Sequence, residues 1–284
     1  MEDTPGRNYD LTPPDIFAFF NHYFLLLFGL SCILGSLFVQ EVFIMFGQFQ
    51  IAISVAPALG ILLPIYLVTR RFPAGFRRQF RIGRPRPRIA LYVTLATLAM
   101  VVVVSHLYVT SQRFMPPPEA YNETLKQYRP TSALGAVVTF LGLCVVVPFA
   151  EEVVFRGVVQ EIFRRNMNSA LAVILAGVFF GVMHLNPQLL AGLVCFGIFL
   201  GIVFHLTSNL SYAILGHGVL NAVAFLQLTL LPEEALETPP FYMREWWMLP
   251  VSVAVTTILL REIKRGVSSV METPGLPSDS PEWK

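Results

Sequence analysis

Aspartate is nearly missing from this chain, and charge of either sign is scarce. The four aspartates, Asp3, Asp10, Asp15 and Asp279, lie near the two ends, and only 13% of residues are charged, against roughly 25% in soluble domains. With 55% hydrophobic residues and a mean hydropathy of +0.62, that deficit excludes a water-soluble globular domain. Cysteine is rare too. Cys32, Cys144 and Cys195 sit singly in apolar runs without paired spacing, so they read as small buried hydrophobes and give no disulfide framework. The alternating pattern of a transmembrane β-barrel is absent, which leaves helices as the spanning element. Internal repeats of the kind many carriers show are absent as well.

Long apolar runs fill the chain instead. About 20 apolar residues cross a hydrocarbon core as a helix, and candidate spans run near 16–39, 49–69, 89–110, 132–155, 169–185, 188–206, 209–230 and 247–262. The expectation is all-α: a polytopic membrane helix bundle of about eight transmembrane helices. Residues 1–130 would hold the first three spans and an arginine-rich loop, 131–230 a core, 231–265 a loop and the last span, and 266–284 a disordered tail. Met1–Asp10 lacks the basic-then-apolar order of a cleaved signal, so the first span should stay as an anchor. Asn122-Glu123-Thr124 fits a glycosylation acceptor.

Arginine and lysine placement sets the expected orientation. Arg70, Arg71, Arg77, Arg78, Arg81, Arg84, Arg86 and Arg88 share a side with Arg164, Arg165, Arg261, Lys264 and Arg265, whereas the other side has Arg113, Lys126, Arg129 and Arg244. Both termini are therefore expected in the cytoplasm, in a bacterial inner membrane or its equivalent. Phe72, Phe76 and Phe80 interleave the arginines at one-turn spacing, which predicts a stretch lying on the bilayer surface rather than a nucleic-acid site.

Against this background Glu151 and Glu152 stand out, side by side inside an apolar run. One carboxylate at the centre of a membrane helix costs about 2.5–3.5 kcal/mol on insertion scales, so such residues mark function. Glu152 and Arg156 are one turn apart and form a natural ion pair. Glu151 points about 100° away and is left without a counter-charge, as suits a group that takes a proton from water. Two further one-turn motifs follow: Phe180-Gly-Val-Met-His184, and His217-Gly-Val-Leu-Asn221, whose imidazole and carboxamide can donate to a developing oxyanion. His22, His106 and His205 have no such partner and read as structural. At the helical rise, Glu151 lies about 21 Å from Arg165, His184 about 22 Å from Ser169, and His217 only about 12 Å from its span start. The seventh span must therefore start deeper or tilt. Gly177-xxx-Gly181 and Gly197-xxx-Gly201 supply faces for close helix approach.

Glu-Glu-x-x-x-Arg, Phe-x-x-x-His and His-x-x-x-Asn, in that order on apolar helices, resemble the CPBP family. These are the type II CAAX prenyl endopeptidases and the related bacteriocin-processing and immunity proteins. The resemblance covers roughly residues 131–230. It implies an intramembrane endopeptidase, with Glu151 activating water, His184 positioning it, His217 and Asn221 stabilising the oxyanion, and Glu152 with Arg156 in support. Glu151, His184 and His217 would make a zinc set, while water activation by glutamate and histidine alone is the alternative. His-Glu-x-x-His is absent, and so are the Gly-x-Ser-Gly and Gly-x-Gly-Asp signatures of other intramembrane proteases. The implied partners are a peptide or protein substrate in the membrane, prenylated or leader-type, and the lipid bilayer. A non-catalytic immunity or interaction protein, or a proton-coupled carrier, is the competing reading. A water-bearing cavity is expected to open to the cytoplasm, beside the loops at 164–169 and 205–209.

Overall fold

The computed structural model describes residues 16–116, 118, 126–231 and 245–271, and among them every regular element is helical. The long helices are α1 (His22–Met45), α2 (Phe49–Thr69), α3 (Pro87–Phe114), α4 (Ala133–Asn166), α5 (Ser169–Met183), α6 (Leu190–Thr207), α7 (Leu210–Leu230) and α8 (Met248–Met271). Polar N-caps start several of them: Ser132 accepts from the N–H of Gly135, Asn168 from Leu171 and Asn209 from Ser211. Leu27, Leu34, Leu98, Ile174 and Val251 point outward, giving the apolar exterior of a multi-pass membrane protein.

The expected spans and the helices differ in places that have physical causes. The first span breaks at Asn21, whose side chain caps α1, so Ile16–Phe19 is a separate turn. Among the described residues six helices are long and apolar enough to cross a membrane. Helix α5 has 15 residues, about 22 Å, short of the roughly 30 Å of hydrocarbon. Helix α8 carries Arg261, Glu262, Lys264 and Arg265 and continues to Met271, so residues 266–271, expected as tail, are helical. The rest of the tail, residues 1–15 and the candidate acceptor Asn122 lie outside the described residues.

Helix α4 is the axis. It widens into π-helical turns at Gly142–Val146 and Val153–Gln160, and every residue from 152 to 162 is buried. Helices α1 and α2 pair on one side of it, α5 and α6 pair on the other, and α7 and α3 complete the bundle with α8 outside α3. The α5–α6 pair is tight because Gly177 faces Gly197: a Cβ on Gly177 would lie 2.7 Å from the Ile198 nitrogen.

The arginine-rich segment, expected on the bilayer surface, buries Phe80 within the protein and leaves Phe72 and Phe76 half-buried. It folds inward as a cap over one end of the bundle. Phe80 is 1% exposed and sits where a Cβ on Gly157 would be 2.6 Å from its ring, while Phe76 stacks on Phe149. Burying these rings is the more favourable outcome because the arginine heads can stay at the rim. Arg81, Arg164 and Arg165 converge on buried Glu161. The cap also receives α7: Leu210 N–H donates to Arg81 O at 3.0 Å, Gly83 N–H to Asn209 Oδ1 at 3.1 Å and Arg86 N–H to the Tyr212 hydroxyl at 2.7 Å. Gly157 stands about 13 Å in from Asn166 along α4. A cap reaching that depth starts α7 deeper than its neighbours, which closes the mismatch of about 10 Å between the three motifs.

Candidate active site

The three motifs meet at mid-depth, on facing sides of α4, α5 and α7. Glu152 and Arg156 lie one turn apart on α4 and are 0% and 1% exposed. Arg156 Nη1 donates to Glu152 Oε1 at 2.9 Å, its Nη2 donates to the Gly197 carbonyl at 2.9 Å, and its guanidinium lies 4.7 Å over the Phe180 ring. The expected ion pair is present, and it has a third member. His217 Nδ1 donates to the same Glu152 Oε1 at 2.8 Å. One buried carboxylate oxygen thus holds a cation on its own helix and an imidazole on α7.

Glu151 turns the other way. Its Oε2 has no hydrogen-bond partner and faces His184 Nε2 at 3.7 Å and His217 Nε2 at 4.0 Å. Both rings are fixed from behind: His184 Nδ1 bonds the Phe180 carbonyl at 2.8 Å, and His217 Nδ1 bonds Glu152. With Nδ1 donating, a neutral His184 presents an acceptor at Nε2. Phe180 is the hub between them, its ring 4.6 Å from that of His184 and 5.7 Å from that of His217. Asn221 lies one turn beyond His217, and its Nδ2 donates to the Leu143 carbonyl at 2.8 Å, leaving its second N–H. That carbonyl is in the first π turn of α4.

Donors around one tetrahedral zinc stand about 3.3–3.6 Å apart when bond lengths are about 2.0–2.2 Å. The separations of 3.7 and 4.0 Å from Glu151 Oε2 are wider than this. Among the described residues no group of three or more His, Cys, Asp or Glu is set to hold a metal ion. The three residues of the expected zinc set converge, but not as a closed ligand set.

Sequence reasoning missed Gln160. It is 2% exposed, one turn past Arg156, and its Nε2 donates to the Gly201 carbonyl at 3.1 Å. Arg156 to Gly197 and Gln160 to Gly201 form two rungs one turn apart between α4 and α6. The signal was present as a lone glutamine four residues beyond the arginine in an apolar run. The histidines read as structural remain apart from the site: His106 bonds the Val102 and Glu245 carbonyls, and His22 meets Asn166.

Residues 133–223 match the family model described as type II CAAX prenyl endopeptidase Rce1-like. The match begins with α4 and extends just past Asn221, so it takes in all six motif residues. No curated protein and no solved structure matches the chain.

Proposed function

We propose that this chain, whose residues 133–223 carry an Rce1-like domain of the CPBP family of intramembrane proteases, hydrolyses a peptide bond of a membrane-associated polypeptide with water activated by Glu151 and His184. The observation that carries this reading is the unbonded Glu151 Oε2 set between two imidazole Nε2 atoms whose other nitrogens are already held. Separations of 3.7 and 4.0 Å are too long for direct hydrogen bonds and suit groups that share one bridging water.

In the proposed reaction, such a water donates one proton toward Glu151 and the other toward His184 Nε2. Its free lone pair attacks the scissile carbonyl carbon as Glu151 takes the first proton. The carbonyl oxygen becomes an oxyanion that accepts from the second Asn221 N–H and from His217 Nε2–H. His217 can donate there only as the imidazolium, since its Nδ1–H is used by Glu152. The C–N bond then breaks, and Glu151 returns its proton to the departing amine. Glu152 and Arg156 touch no reacting atom; they position His217. The reaction in this form uses no metal ion. The Lys and Arg bias supports cytoplasmic termini.

Terminal peptidomics of membranes carrying the native chain or Glu151→Gln tests the proposal. New carboxyl termini should appear only with the native chain. Identical termini in both membranes would remove proteolysis from the account.

A further inference from the structure

We infer that the substrate reaches Glu151 through a recess at the α5–α6 turn, on the membrane side opposite the arginine-bearing cap. The word substrate rests on the proteolytic reading, but the recess does not.

The expected route from the cap side is closed. Every α4 residue from 152 to 162 is buried, Phe155 is 2% exposed, and Phe80 fills the space beside Gly157. Below it, Glu161 is locked by three arginines, and the cap backbone is bonded to residues 209–212.

The exposure lies at the other end. The side chains of His184 and Glu151 are 28% and 22% exposed, and the residues that follow them toward that end are open: Leu185, Val145 and Ala224. Helix α5 ends at this level because Leu185 adopts a left-handed conformation, φ +50°, which is strained for a residue with a branched side chain. Leu185 is also 73% exposed. Helix α6 resumes at Leu190, so the turn between them stays about 22 Å from the cap end. Helices α4 and α7 run on past it, α4 by about 27 Å from Glu151 to Ala133 and α7 by about 20 Å from His217 to Leu230.

Non-helical backbone at membrane depth is tolerated only where it is packed in protein or lines water. The exposed turn His184–Leu189, with Asn186 and Gln188 on it, therefore borders a water-filled recess walled by α4 and α7. The recess is open sideways to lipid where α5 and α6 stop. It suits an extended, unwound end of a membrane-anchored polypeptide.

Single cysteines in the full chain, with Cys32, Cys144 and Cys195 replaced by alanine, test this in sealed vesicles with a membrane-impermeant maleimide. Leu185→Cys and Gln188→Cys should label from one face only, and Arg77→Cys, an exposed cap position, from the opposite face. Labelling of the turn from the same face as Arg77→Cys would overturn the inference, as would silence of both turn variants in open membranes. In a preparation that cleaves, a bulky maleimide on Gln188→Cys should lower cleavage at least tenfold when applied from the turn side. Unchanged cleavage would put the substrate route elsewhere. Absence of cleavage before labelling would count against the proteolytic reading alone.

Discussion

Glu152 and His217, on different helices, are joined by a 2.8 Å hydrogen bond at the carboxylate oxygen that also receives Arg156. The bond divides the two adjacent glutamates by task. Glu152 is fully buried and its Oε1 is committed to two partners, whereas Glu151 makes no such bond and sets its Oε2 between His184 and His217. Substitutions at the two positions should therefore fail in different ways.

Removing Arg156 leaves the Glu152 charge buried with only an imidazole beside it. Breaking one partner of a buried pair costs about 3–5 kcal/mol, so Arg156→Ala should lower both the melting temperature in detergent and the cleavage rate. Arg156→Lys should recover little, because one ammonium cannot reach both Glu152 and the Gly197 carbonyl in the planar geometry of the guanidinium. A melting temperature unchanged by Arg156→Ala would instead assign the arginine to the substrate.

Gly218 follows His217 on α7 and rests on the π turn of α4; a Cβ there would lie 2.6 Å from the Cys144 carbonyl. Gly218→Ala must push α7 away from α4, and with it His217 and Asn221. A displacement of about 1 Å can cost on the order of 10²-fold in rate, against a stability loss of about 1–3 kcal/mol for overpacking. Cleavage measured alongside melting temperature should show the larger effect on rate.

Gln160 supplies the second rung to α6 without approaching the reacting atoms. Gln160→Ala removes one buried hydrogen bond, worth about 1–3 kcal/mol when a partner is left unpaired. Cleavage should fall by less than in Arg156→Ala, and the melting temperature should fall measurably. An unchanged melting temperature would show that the rung does not hold the helices.

Glutamate–histidine activation of water requires no bound ion. The purified, active chain should hold well under one equivalent of zinc and keep its rate in a strong chelator. Stoichiometric metal, lost together with activity and restored with it, would contradict the metal-free route and draw Glu151, His184 and His217 into a ligand set.

The helices and the one-turn motifs on them were legible because apolar run length and polar spacing are local properties, whereas the meeting of the motifs was implied by the family resemblance and left a depth mismatch of about 10 Å. Contacts between helices were not legible. Nothing in His217-x-x-x-Asn221 says that the histidine would bond Glu152 or that the asparagine would bond the Leu143 carbonyl. The cap misled for a specific reason. Phenylalanines at one-turn spacing among arginines look the same whether the rings meet lipid or protein, and only the bare surface of Gly157 decides for protein.

The measurement that tests the central claim most directly is the cleavage rate of Glu151→Gln, with its melting temperature taken on the same preparation. The substitution keeps shape and hydrogen bonding but removes the base. The rate should fall by at least about 10²-fold with the melting temperature unchanged. Cleavage within a few-fold of the native rate would contradict water activation by Glu151.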